Sequence, residues 1–322
     1  MENTRQQIIN LLEEANEQYI SGQQISNCLQ ISRTAVWKHI KELEKDGYKI
    51  EAVAKKGYKI LEAPNKLSAN TIQWGLHTNW LGKHVIHKTS IPSTQTLAQK
   101  LAFEGADHGT VVIADEQTAG KGRLNRAWFS PNQGIWMSII LRPSFLPLQA
   151  SQLTLLTATI LAKSVEEVTG LTPSIKWPND LLIQDRKVAG ILTEMQSEHD
   201  HIQYLIIGIG MNVNQNEKDF PEELHSKATS IQIESGKEWD MRIIIQAVLQ
   251  HFEKQYDHYL QKGFSTVKEI WEEYGYKIGE VVTLRTTQEE KQVTLIGLQE
   301  DGSLLIEDSG TRHPLYSGEI IW

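Results

Sequence analysis

Ile8, Ile9, Leu11, Leu12 and Ala15 recur at helical spacing behind Thr4, a good N-cap residue, so the pattern predicts an amphipathic helix over 4–16. Ser21 and Ser32 start two more: a short helix to Leu29, a turn at Gln30 and Ile31, then a longer helix to Asp46. The longer one places Val36, Ile40 and Leu43 on one face and stops at Gly47. Two short helices about a tight turn predict a helix-turn-helix. Residues 48–53 and 58–61 then read as a small hairpin whose tip, Ala54-Lys55-Lys56-Gly57, carries two lysines. Pro64-Asn65-Lys66 marks a boundary. Beyond it, apolar segments near 84–88, 110–115, 134–141 and 203–213 predict strands, and amphipathic stretches near 94–104, 150–169 and 240–261 predict helices. The larger part of the chain is therefore a mixed α/β domain with hairpins.

Composition narrows the function classes. The 322 residues, 40% hydrophobic and 22% charged, suffice for two or three domains. The single cysteine, Cys28, excludes a disulfide framework and a cysteine-built zinc site, and is expected to be a small buried residue. No apolar run is long enough to predict a membrane-spanning helix, and Met1-Glu2-Asn3-Thr4-Arg5 lacks the order of a secretory signal, so a cytoplasmic protein with no membrane partner is expected.

Charge is uneven. The net charge is −8, yet residues 32–60 hold eight basic residues against four acidic ones. If the second helix of the motif enters a DNA groove, Ser32 caps it and Arg33, Thr34, Trp37, Lys38 and Lys41 face outward, with Lys55 and Lys56 on a basic wing beside it. Trp37 suits a core position equally well, and a helical protein-interaction domain is the alternative reading. Residues 1–65 are charge-balanced, so the remainder carries the acidic excess and is no extension of a DNA surface.

Two clusters in the α/β region carry chemistry. Neither a Walker loop nor a complete dinucleotide fingerprint is present, since Gly208-Ile209-Gly210 lacks the third glycine. Instead, residues 117–128 (Gln117-Thr-Ala-Gly-Lys121-Gly122-Arg123-Leu-Asn-Arg126-Ala-Trp128) form a loop with glycines, cations and no acid. Glycines let backbone approach an anion, arginines fork onto phosphate oxygens, and Trp128 offers a face to a planar base. Unliganded, such a loop repels itself, which predicts ordering on binding; a solvated surface loop is the bland alternative. The second cluster is Lys176-Trp177-Pro178-Asn179-Asp180 followed by Lys187-Val188-Ala189-Gly190-Ile191, where Pro178 fixes an extended turn and Lys187 opens an apolar strand. Two lysines and an aspartate suit a charged transition state with Mg²⁺, though one aspartate alone equally suits a surface ion pair.

The G-K-G-R-x-N-R-x-W loop, K-W-P-N-D, K-V-A-G-I-L and I-G-I-G-M-N-V-N, in this order behind a winged helix-turn-helix, resemble the bifunctional biotin protein ligases that also repress the biotin operon. The likeness covers essentially the whole chain. It implies an α/β multidomain protein: a winged helix-turn-helix over 1–64, a class II synthetase-like ligase domain over 65–273, and an SH3-like β-barrel over 274–322. Val281 to Leu284, Gln292 to Leu298, Ser303 to Glu307 and Gly318 to Trp322 agree as short strands separated by turn signals.

The resemblance further implies that biotin and ATP combine to biotinyl-5'-AMP and that the biotinyl group passes to a lysine of the biotin carboxyl carrier domain of acetyl-CoA carboxylase and related carboxylases. Ser93, Thr94 and Gln117 are implied to hold the biotin head with Gln95, Lys121, Gly122, Arg123 and Lys187 around it. Arg123, Arg126, Trp128, Lys176, Asn179 and Asn212 are implied for the nucleotide. Arg123, Arg126 and Lys187 then manage charge, and Asp180 serves as base or Mg²⁺ ligand. The adenylate acts as corepressor of a homodimer on operator DNA. Relatives often carry arginine where Lys121 stands and asparagine where Gln95 stands. A lipoate ligase, a ligand sensor without turnover and a ligase whose head has lost its operator are the alternatives.

Overall fold

The computed structural model describes residues 4–15, 18–62, 64, 66–286 and 289–321. Asn16, Asn65 and Trp322, which the sequence pattern drew into a helix, a boundary and a strand, lie outside them. The N-terminal unit contains α1 (Thr4–Glu14), α2 (Gly22–Leu29) and α3 (Arg33–Lys45), then β1 (Lys49–Val53) paired antiparallel with β2 (Gly57–Glu62). Thr4 lies inside the first helix rather than ahead of it. Ser21 and Ser32 act as expected, each accepting a backbone N–H three residues on. Gln30 takes the left-handed conformation that turns the chain between α2 and α3. Ile8, Ile9, Leu12, Ile25, Val36, Ile40 and Leu43 close one small core.

Trp37, by contrast, is 51% exposed, and Cys28 is exposed rather than buried. Cys28 stands three residues after the buried Ile25, near the end of a short helix, and is exposed although that spacing sets it close to the buried face.

α4 (Ala69–Gln73) leads into a seven-stranded sheet built from β3 (Val85–Ile91), β4 (Val111–Gln117), β5 (Gly134–Leu141), β6 (Ser174–Lys176), β7 (Asp180–Ile183), β8 (Arg186–Glu198) and β9 (His201–Asn212). The strand order is β3-β4-β5-β9-β8-β7-β6, with β3 and β4 parallel and all other pairs antiparallel. Helix α5 (Thr94–Phe103) covers one face, while α6 (Ala150–Thr169), α8 (Met241–Lys262) and α9 (Ser265–Tyr274) cover the other, after a short α7 (Ile231–Ser235). Strand alternation sorts the side chains. Val111, Ile113, Ile135, Met137, Ile139, Ile207, Ile209 and Met211 join the large core, whereas Val112, Ile140 and Ile206 pack under α5 with Ala98 and Ala102. Glu253 on α8 ties the start of the domain down, its carboxylate accepting the backbone N–H of Asn79, Trp80 and Leu81 at 2.6, 2.8 and 2.8 Å.

The C-terminal unit is β-rich: β10 (Val281–Arg285), β11 (Glu290–Leu298), β12 (Leu304–Asp308), β13 (Thr311–Leu315) and β14 (Glu319–Ile321), in the order β13-β12-β11-β10-β14. Among the described residues no pairing joins β13 to β14, so the sheet stays open. No helix among them is long and apolar enough to cross a membrane.

Candidate active site on the glycine face of the sheet

On the α5 face, β8 and β9 lose their side chains where they pass the end of the helix. Gly190 lies opposite Gly210, and Gly208 lies opposite Ser138 on one side and Leu192 on the other. The space so made is filled from two directions. A Cβ on Gly210 would stand 2.5 Å from Trp128 Nε1, one on Gly190 2.9 Å from the same ring, and one on Gly208 2.5 Å from Gln95 Oε1. The I-G-I-G pattern is therefore a floor for close approach rather than a dinucleotide fingerprint. Trp128 lies flat on it, its buried indole N–H without a partner.

The N-terminus of α5 borders this floor. Ser93 holds the N-cap position, yet its hydroxyl caps nothing and is buried without a partner. Gln117, from the end of β4, takes that duty: its Oε1 accepts from Thr94 N at 2.8 Å and Thr94 Oγ1 at 3.0 Å, and its Nε2 donates to Ser130 Oγ at 2.9 Å. Gln95 faces the sheet, where its Oε1 accepts from Ser138 Oγ at 3.0 Å, so its polar head is engaged by protein.

The cationic loop folds back as a small hairpin, with Trp128 N donating to Gly120 O at 2.9 Å and Gly122 N to Arg126 O at 2.8 Å. Lys121 is exposed on it. Arg123 reaches Asn179 Oδ1 at 3.0 Å, and Asn179 Nδ2 donates to Ile191 O at 2.9 Å, which joins the loop to the Lys-Trp-Pro-Asn-Asp turn. The Trp177–Pro178 peptide of that turn is cis. Asp180 opens β7 and meets Lys187 of β8 at 2.7 Å, with the Lys187 ammonium 4.8 Å from the centre of the Trp128 ring. A bulge between the two strands sets Lys187 opposite Leu182, two residues beyond Asp180 on the same strand face. Asn212 ends β9, buried, donating from Nδ2 to Thr229 O at 2.9 Å.

The charges here are unbalanced: Arg123, Arg126, Lys176 and Lys187 against Asp180 and Glu319. Burial, only partly offset by Asp180, pushes Lys176 down to about 8, and burial likewise lowers Arg123. Glu319 lies below the usual carboxylate range because Arg126 bonds to it. Glu319 is the member that sequence reasoning missed, since it stands 193 residues from Arg126 with no motif around it.

Ser32, Arg33, Thr34, Trp37, Lys38 and Lys41 lie exposed on the first turns of α3, with Lys55 and Lys56 exposed at the hairpin tip beyond it. These residues are therefore exposed in two stretches, 32–41 and 55–56, on the unit that also carries the helix-turn-helix.

A helix-turn-helix head is joined to an α/β domain in which the unpartnered Ser93 hydroxyl, the glycine floor and a group of cations stand together, the layout of a DNA-binding protein with a second, ligand-handling domain. Residues 4–59 match an HTH domain, 88–212 the biotin/lipoate A/B protein ligase family and 277–322 the biotin protein ligase C terminal domain. The bifunctional ligase/repressor BirA of Bacillus spizizenii and that of Bacillus subtilis are each 46% identical over 318 residues, covering 98% of this chain and 98% of theirs. The biotin protein ligase from Aquifex aeolicus, solved in complex with biotin and ATP, is 33% identical with a TM-score of 0.65, covering 74% of this chain and 98% of its own. The chain belongs to the family of bifunctional ligase/repressors.

Proposed function

We propose that the protein is a biotin protein ligase that doubles as a biotin-responsive repressor. The observation that carries the reading is the row of groups along the glycine face: the unused Ser93 hydroxyl and the Thr94–Gln117 pair at one end, the glycine floor under Trp128, and Lys187 with Asp180 at the other. A neutral polar head and a carboxylate tail fit that order of groups. In the first step a carboxylate oxygen of biotin attacks the α-phosphorus of ATP, the bond to the β-phosphate oxygen breaks, and pyrophosphate leaves. Arg123, Arg126, Lys176 and Lys187 meet the charge, a preorganised field of the kind that dominates such catalysis. In the second step a neutral lysine amine of a biotin carboxyl carrier domain attacks the acyl carbon, AMP leaves, and an amide forms.

Ser93, Thr94 and Gln117 bind the biotin head, with the backbone around Lys121 and Gly122 closing over it. Gln95 supports the floor. Trp128, Asn179 and Asn212 flank the nucleotide. Asp180 receives the amine's proton or orients Mg²⁺. Among the described residues no three acidic, histidine or cysteine side chains gather as a metal cage, which fits an ion held by one carboxylate and substrate phosphates. Bound there, Mg²⁺ would neutralise phosphate charge.

Ordering of the 117–128 loop by the adenylate lowers the entropy cost of homodimerisation, so ligand, dimer and operator binding are coupled. We take residues 1–64, 65–273 and 274–322 as the domains, the last as an SH3-like unit. The test incubates the protein with ATP, Mg²⁺ and either biotin or lipoate, following pyrophosphate and labelling of a carrier-domain lysine by mass spectrometry. Labelling by biotin alone is expected. Labelling by lipoate, or tight biotin binding without pyrophosphate release, overturns the reading.

A further inference from the structure

Arg126 does not wait free for an anion. Its Nη1 and Nη2 each hold one carboxylate oxygen of Glu319, at 3.0 and 2.9 Å, in the parallel fork that a guanidinium also makes with phosphate. Glu319 is the first residue of β14, so the pair fastens the cationic loop of the α/β domain to the C-terminal sheet. A second cation stands ready beside it. Arg285 of β10 is the cross-strand partner of Glu319, and its own carboxylate partner, Glu290, is on the neighbouring strand with Nε to Oε2 at 3.0 Å. Released from Arg126, the Glu319 carboxylate has Arg285 in register with it and Lys176 within electrostatic reach.

We propose that Glu319 is an internal stand-in for a nucleotide phosphate: it occupies Arg126 in the unliganded protein, and the incoming phosphate displaces it and frees the loop from the C-terminal sheet. The inference rests on the reading of Arg126 as a nucleotide-binding residue. Glu319 is here a positioning residue, acting on substrate through Arg126. Its presence lowers nucleotide affinity, because each binding event must break an ion pair, and leaves biotin affinity alone, because biotin carries no phosphate.

The test titrates the biotin-loaded full-length protein with α,β-methylene ATP, which cannot release pyrophosphate, by calorimetry at low ionic strength. Glu319→Gln keeps the side chain's shape and removes its charge. It should bind the analogue about 3- to 5-fold tighter, the range expected from removing a well-formed exposed ion pair, with biotin affinity unchanged. Raising the salt should narrow the gap. In an Arg126→Gln background the same substitution should change nothing, because the competition it relieves is gone. Unchanged or weaker nucleotide binding by Glu319→Gln overturns the proposal, as does a gain that persists without Arg126. A merely structural role would instead weaken biotin and nucleotide together. Failure of the unsubstituted protein to bind biotin at all would sink the ligase reading, a different result from either.

Discussion

The Lys187 ammonium is held on two sides, 2.7 Å from Asp180 Oδ1 and 4.8 Å from the Trp128 ring centre. Carboxylate and indole together hold the amine in place at the edge of the glycine floor, and the bulge between β7 and β8 brings its strand position onto the Asp180 face. A cation placed in advance of its substrate loses no reorganisation energy when charge develops.

Lys187→Met should therefore cut biotin-dependent pyrophosphate release by about 10²- to 10³-fold, the loss typical of removing one preorganised charge donor. Lys187→Arg should recover only part of it, because the fork geometry differs from a compact ammonium. The check is single-turnover pyrophosphate release. A rate within a few-fold of the unsubstituted protein would remove Lys187 from the machinery.

The two glycines of Gly208-Ile209-Gly210 should fail differently. Gly208→Ala drives its methyl against the buried Gln95 Oε1 at 2.5 Å, so it overpacks a closed site and should cost roughly 1–3 kcal/mol in urea unfolding. Gly210→Ala meets Trp128 Nε1 at 2.5 Å instead. Trp128 sits on a loop rather than in the core, so about 1 kcal/mol or less of stability should go while nucleotide affinity falls ~10-fold or more. Equal stability losses for both would show that Trp128 is as fixed as Gln95.

Local order explains what the sequence made legible. Ser21 and Ser32 cap the helices they precede, and the alternation in β4, β5 and β9 follows from one face packing on α6 and the other under α5. β6 and β7 escaped that reading because three and four residues are too short to establish a period, and the intervening Pro178 and Asn179 signal a turn. Thr94, Gln117, Asp180 and Lys187 are legible through the resemblance and through short motifs, while the Gln117–Thr94 bond and the Lys187–Asp180 pair themselves come from the fold. Glu319 and Glu253 bind partners 193 and 172 residues away, and neither is marked by its neighbours in sequence. Cys28 shows the converse: residue type and its spacing from Ile25 both suggest burial, yet it sits at the last turn of a short helix and is exposed.

The head offers a separation of contacts. Lys55→Ala with Lys56→Ala removes two exposed wing cations, and should weaken operator and random DNA alike while reducing the slope of log K against log salt by about 2. Trp37→Ala should leave the fold intact, since the ring is 51% exposed, and lower discrimination between operator and random sequence. Fluorescence anisotropy over a salt series measures both. Adenylate synthesis by these variants should match the unsubstituted protein, and a parallel loss would mean that the head contributes to the site on the glycine face.

Lys176 gives the pH dependence, and its sign follows from burial. The side chain is 5% exposed and its pKa is pushed from 10.5 to about 8, chiefly because the charged form is desolvated and next to Lys187, against the pull of Asp180. Between those two values the unfolded chain binds the proton and the folded one does not, so stability rises with pH across that window. Below about 8 both states are protonated and the folded protein carries the net cost of its buried ammonium, the same cost that lowers the pKa. Lys176→Met keeps the apolar stem and removes the charge, and should stabilise the protein at pH 7 by roughly 2–3 kcal/mol. Its advantage should shrink steadily as pH rises from 8 towards 10, where the native amine is neutral as well. Urea unfolding of both proteins at pH 7 and 9.5 measures the difference, and a variant no more stable at pH 7 would show that the ammonium is paid for by its surroundings. The same substitution should weaken nucleotide binding, because the charge that costs the folded protein stability is the one a phosphate meets.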